Sequence, residues 1–182
     1  MKRTIRHPRG RRSAGSTITL ATLLAACAGP AIGVGDTVAT YRMYESAINA
    51  GDATAATAVW AADGRFAGAL GCSTAKPCTN RAQVRAGFIE PAVAMRMSHR
   101  MIGAPKVEDA GKAQFRIEIA WPDIVKLVPG VQRIVGTDAV QVENGLIVSK
   151  VFTPDMADEQ TRTFYETVAK ARPRPADEPP HP

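Results

Sequence analysis

The chain has 182 residues, with 23 Lys and Arg against 17 Asp and Glu and a formal net charge of +6. That length fits one domain with extensions and is enough to bury a core. Six of the 23 basic residues (Lys2, Arg3, Arg6, Arg9, Arg11 and Arg12) precede the first acid, Asp36, which leaves 17 to balance the 17 acids beyond Cys27. A phosphate-binding surface needs its positive excess on the folded body, so nucleic acid is excluded as an expected partner.

The first residues read as a targeting segment. A basic stretch (1–12) precedes the apolar run "ITLATLLAACA" (18–28), the length of a signal-peptide core and short for a membrane span. It ends in "LAAC" (24–27), which resembles a bacterial lipobox, so Cys27 is expected to carry lipid and anchor the mature chain to a membrane. An uncleaved single anchor and cleavage without lipidation are the alternatives, and all three place the body outside the cytoplasm. The expected division is a signal (1–27), a linker (28–36), a domain (37–154), a C-terminal helix (155–171) and a disordered, proline-rich tail (172–182).

Within the body, Val38, Tyr41, Tyr44 and Ile48 recur at helical spacing, predicting a helix from about Thr37 to Asn49 that Gly51 stops. Asp52 is placed to cap a second helix, "ATAATAVWAA", and "DGRFAGAL" (63–70) reads as a turn and short strand. Thr79 is the expected cap of a third helix from Asn80 to about Ile89, which Pro91 breaks or kinks. The period then changes to two. "HRMIGAPKVED" and "KAQFRIEIAW" predict strands, the second with Phe115, Ile117, Ile119 and Trp121 on one face. "VQRIVGTDAVQVENGLIVSKVF" predicts a hairpin turning at Asn144-Gly145, and "DMADEQTRTFYETVAKA" a final helix with Phe164, Tyr165 and Val168 as its apolar contacts. Helices followed by antiparallel strands imply an α+β fold with the helices on one side of a curved sheet.

Several phrases resemble one superfamily. "YRMYESAINAGDATAATAVWAADGRF" is similar to the first two helices and first strand of the SnoaL-like, nuclear-transport-factor-2-like, ketosteroid-isomerase-like proteins, where an "N-x-G-D" link is frequent. "CTNRAQVRAGF" resembles their third helix, with Asn80 replacing a glycine, and "GTDAVQVENGLIVSKVF" their last hairpin. The resemblance covers roughly 37–154. It implies a conical barrel, a curved and mainly antiparallel sheet wrapped around three N-terminal helices, with an apolar pocket between them. It implies no single reaction, because fold does not dictate function.

Asp138 is the most informative polar residue. In a regular strand it shares a face with Ile134, Gly136, Val140 and Val142, where a carboxylate is costly to ionise; that suits a general base or a hydrogen-bonding acid. A bulge turning it outward, or a backbone-bonded structural role, is the competing reading. His99 is the one histidine of the body and opens a strand where the superfamily often has a pocket histidine; a solvated or backbone-bonded residue is the alternative. Tyr41, Tyr44, Trp60, Phe66 and Trp121 are candidate pocket-liners. Cys72 and Cys78, in the loop "CSTAKPC", lack the spacing of a redox dithiol and the further ligands of a metal site. In an oxidising compartment they are expected to pair, and closing that loop stabilises the fold by about 2 kcal/mol.

No metal, cofactor, phosphate loop or nucleophile phrase is predicted. The expected function is the binding of a small apolar or amphipathic ligand, or a protein partner. The alternatives are an isomerase, dehydratase or cyclase with Asp138 as base, His99 assisting and a tyrosine donating to an oxyanion, or a structural, homodimer-forming domain with a collapsed cavity.

Overall fold

The structure, a computed structural model, describes residues 34–171. The expected signal and Cys27, and the tail 172–182, lie outside them. The first helix, α1 (Val34–Asn49), buries Thr37, Tyr41, Tyr44 and Ile48 along one stripe, as spacings of three and four dictate. Gly51 ends it with φ +72°, a left-handed conformation that favours glycine. Asp52 caps α2 (Ala53–Ala58) by accepting from the Ala55 amide at 2.8 Å, as expected. The alanine run reads as helix to Ala62, but α2 stops at Ala58. Trp60 opens strand β1 (Trp60–Ala67), where pairing with Ile147 outweighs helix propensity.

The third helical stretch differs from expectation in its cap and its length. Asn80, rather than Thr79, is the cap, accepting from the Gln83 amide at 2.9 Å. Helix α3 (Arg81–Val84) runs into a π-helical turn (Arg85–Ile89) and then α4 (Glu90–Ala94), so Pro91 does not end the helix. The reason is local. Pro91 has no N–H to offer the Gly87 carbonyl one turn back. That carbonyl instead accepts from the Gly71 amide at 2.9 Å, next to the loop closed by the Cys72–Cys78 disulfide. The expected bridge is therefore present, and its two sulfurs pack against Gly87, where a side chain would meet both at about 3 Å.

The strands form one six-stranded sheet in the order β1-β6-β5-β4-β2, with β3 (Lys106–Asp109) also paired to β4. The single strand expected over "HRMIGAPKVED" is two, β2 (Ser98–Met101) and β3. Strand β4 (Lys112–Ala120) turns Phe115, Ile117 and Ile119 inward. A short helix, α5 (Ile124–Leu127), precedes the hairpin of β5 (Ile134–Glu143) and β6 (Leu146–Pro154), and Asn144 and Gly145 both have positive φ at its turn. All pairings are antiparallel except β1 with β6. The sheet is curved and unclosed, and the helices cover its concave side. The last helix, α6 (Glu159–Ala171), packs on the domain. Phe164 meets Trp121 edge-on at 5.6 Å, and Thr161 accepts from the Val135 amide at 2.8 Å.

The free edge of β2 is closed by side chains from α1. The Asn49 amide group donates to the His99 carbonyl and accepts from its N–H, both at 2.7 Å, and the Glu45 carboxylate accepts from the Met101 amide at 2.6 Å. This clasp replaces the missing neighbour strand. Asn49→Ala leaves both His99 backbone groups unpaired, which is expected to lower stability by about 1–3 kcal/mol in chemical denaturation. An unchanged midpoint would contradict the assignment.

Candidate functional site

Alternation along β5 sends Asp138 inward, opposite Phe115 on β4 and Phe152 on β6. It is fully buried, so the reading in which a bulge turns it outward fails. Its Oδ2 accepts from the Tyr41 hydroxyl at 2.6 Å and pairs with the Lys150 ammonium at 2.9 Å. Lys150 is 1% exposed. Its Nζ lies 4.8 Å from the ring centres of Tyr44 and Phe66 and 5.1 Å from that of Phe88, a three-sided aromatic enclosure that favours a cation. The ammonium also donates to the Tyr44 hydroxyl at 3.5 Å.

Lys150 is the residue that the sequence reading missed. Counted by strict alternation from buried Ile147, it would point to solvent. The register of β6 slips where Gln141 pairs with Ser149 but Val142 pairs with Ile147, leaving Val148 without an opposite number. This bulge turns Lys150 and Phe152 to the interior together. The one available signal was Phe152, an apolar residue in step with Lys150 and out of step with Ile147.

His99 is 2% exposed and lies inside, with Tyr44 and Phe88 rings 6.1 and 6.0 Å away. Asn49 holds its backbone, while neither ring nitrogen has a partner among the described residues. Burial, aided by the positive charge of Lys150, lowers its pKa to about 3, so the ring is neutral at physiological pH. A neutral His99 ring offers one donor and one acceptor. Burial also lowers the pKa of Lys150 against the opposing pull of Asp138. The hydroxyls of Tyr41 and Tyr44 are pushed well above their usual range by burial and by the Asp138 charge.

The expected pocket-liners are all buried, and they pack on one another. Tyr41 stacks on Phe115 at 3.9 Å, and Trp60 meets Tyr44 and Phe66 edge-on at 6.0 and 6.2 Å. Trp121 anchors α6 through Phe164. Two surface depressions, one around Lys112, Gln141 and Ser149 and one around Arg42, Ser46 and Asp52, are lined by none of His99, Asp138 and Lys150. Four side-chain atoms of this interior have no hydrogen-bond partner among the described residues: Asp138 Oδ1, both His99 nitrogens and Trp60 Nε1. Such atoms are expensive in an apolar setting and are rare without a purpose. Among the described residues, no cluster of His, Cys, Asp and Glu is arranged to hold a metal ion, and no helix is long and apolar enough to cross a membrane.

Neither a protein-family model nor a curated protein matches the chain by sequence. Solved structures match in shape. A nuclear-transport-factor-2-like protein of unknown function from Cytophaga hutchinsonii aligns with a TM-score of 0.50 at 12% identity, covering 66% of this chain and 91% of its own. A putative polyketide cyclase from Sinorhizobium meliloti aligns at 0.50 and 16% identity, over 63% and 94%. A Δ5-3-ketosteroid isomerase from Mycobacterium sp. aligns at 0.53 and 16% identity, over 67% and 95%. At these identities the likeness speaks to architecture alone: the chain has the nuclear-transport-factor-2-like cone fold, with a charged pair sealed at its centre.

Proposed function

We propose that the domain is a binding module. It takes a small apolar or amphipathic molecule into the cone, and Asp138, Lys150, Tyr41 and His99 receive the polar end. The observation that carries this reading is a buried ion pair beside polar atoms with unused bonding capacity. Apolar residues often stabilise a core as well as a buried pair does, so stability alone does not account for Asp138 and Lys150. A ligand's hydroxyl or carbonyl would use Asp138 Oδ1 and the His99 nitrogens. Uptake requires part of the helical cover to lift, and the π-helical turn at Arg85–Ile89 is an irregular part of that cover.

Mass spectrometry of small molecules released from the purified full-length chain tests this. A molecule held by the wild type and lost from Asp138→Asn supports the reading, and clean protein in both cases opposes it. The chain is further proposed to be exported and held by lipid on Cys27, a reading that the Cys72–Cys78 bridge supports by its need for an oxidising compartment. Cys27→Ser is then expected to release the protein from the membrane fraction, and unchanged retention would favour an uncleaved anchor.

A second reading is isomerase-type chemistry, favoured by the open Asp138 Oδ1 and the structural likeness to a ketosteroid isomerase. Asp138 would carry a proton between two ligand carbons while neutral His99 donates to the ligand oxygen. Turnover of a ligand surviving intact in Asp138→Asn would remove this reading and leave binding untouched.

A further inference from the structure

Lys150 stands apart from the other lysines of the described residues. Lys76, Lys106, Lys112, Lys126 and Lys170 are all exposed, whereas Lys150 is sealed among three aromatic rings with one carboxylate. A lysine so placed is either a structural cation or a nucleophile. We propose that Lys150 captures an aldehyde or ketone group of the bound molecule as a reversible imine, with Asp138 carrying the protons. This rests on the binding reading above and names its ligand class.

The steps balance within the site. Asp138 takes a proton from the Lys150 ammonium over the existing 2.9 Å contact, which leaves a neutral amine and a carboxylic acid. The nitrogen lone pair attacks the carbonyl carbon, a C–N bond forms, and the carbonyl π electrons move to oxygen. A second nitrogen proton reaches that oxygen through Asp138 to give the carbinolamine. The carbinolamine hydroxyl then leaves as water with the proton held by Asp138, and the nitrogen lone pair closes the C=N bond. An ammonium plus a carbonyl has become an iminium plus water, with no change of oxidation state.

Three features of the interior suit this sequence. The charge before and after is one cation beside one carboxylate, so the enclosure of Tyr44, Phe66 and Phe88 serves the iminium as it serves the ammonium. Burial lowers the lysine pKa and so favours the free amine that must attack. Asp138 Oδ1 and the His99 nitrogens, which have no partner among the described residues, lie available to the carbinolamine hydroxyl and the departing water. The Tyr41 hydroxyl on Oδ2 holds the carboxylate in place through these transfers.

The test uses the full-length chain, benzaldehyde as probe and sodium cyanoborohydride to trap the imine, with peptide mapping by mass spectrometry. An N-benzyl adduct is expected on Lys150 in clear excess over each exposed lysine, because burial favours its free amine. Labelling spread over the exposed lysines with none at Lys150 overturns the proposal. Lys150→Arg keeps the cation and is expected to lose the interior adduct while surface labelling persists. Benzyl alcohol, which has the same shape and no carbonyl, separates the two readings. If the alcohol raises the melting temperature and benzaldehyde still gives no Lys150 adduct, binding stands and the imine falls. If neither effect is seen, both fall.

Discussion

Lys150→Met is expected to destabilise the domain by about 3–5 kcal/mol, because it leaves the Asp138 carboxylate buried without its cation. The loss has little to do with the intrinsic strength of the pair. Desolvation of two ions offsets most of their attraction, and the damage comes from the charge left behind. The contrast therefore lies in removing the whole polar group. A triple variant, Tyr41→Phe with Asp138→Leu and Lys150→Met, leaves no orphaned charge at the centre and only the Tyr44 hydroxyl without its Lys150 partner, and it is expected to recover most of the lost stability. Urea denaturation of the single and triple variants reads this directly. A single variant as stable as the wild type would mean that losing the Lys150 partner costs the centre nothing, and the centre would need another description. The triple variant also matters for function, because it would be a folded domain that keeps only His99 of the proposed ligand-receiving groups. It separates failure to bind from failure to fold.

Stability should fall steeply on mild acidification, with His99 as a main cause. Its folded pKa of about 3 lies below the value of 6.5 for an unperturbed histidine, so the unfolded chain binds the extra proton. Stability from this group is fully present above pH 6.5 and drains away as pH falls toward 3. That depression corresponds to about 5 kcal/mol over the whole window, of which about 2 kcal/mol is lost by pH 5. Glu45 works in the opposite sense, since burial raises its pKa, and Lys150 and Asp138 set the local field. Comparison with His99→Phe removes these shared terms. The difference in urea midpoints between pH 7 and pH 5 is expected to shrink markedly in the variant. Equal declines in both proteins would show that His99 is not the group responsible.

The legibility of this chain in its sequence was uneven, for physical reasons. Asp138 could be placed because β5 is a regular strand with an Asn-Gly turn to fix its register and four apolar neighbours in step. The Cys72–Cys78 bridge could be placed because it is local and closes a short loop. Lys150 could not, since one unpaired residue, Val148, inverts the alternation between the turn and the far end of β6. The clasp of Asn49 and Glu45 on β2 joins residues about fifty positions apart and leaves no periodic trace. Pro91 was expected to break or kink the helix because only the missing N–H is visible locally. The Gly71 amide that occupies the vacated acceptor comes from another part of the chain. The aromatic residues were correctly expected inside, but their packing against one another rather than around an open cleft depends on tertiary fit.

The bulge at Val148 also bears on how such an interior can arise and disappear. Most changes of chemistry in a protein core are imagined as exchanges of one side chain for another. Here the cation is inside because the strand is one residue longer than its partner requires, and the lysine is delivered to the core by a count. In a lineage with the same lysine and a β6 that pairs without the slip, Lys150 would be a solvent-facing residue and Asp138 an unaccompanied acid. A single inserted or deleted codon in the hairpin is thus enough to switch the charge at the heart of the cone on or off, without altering either charged residue.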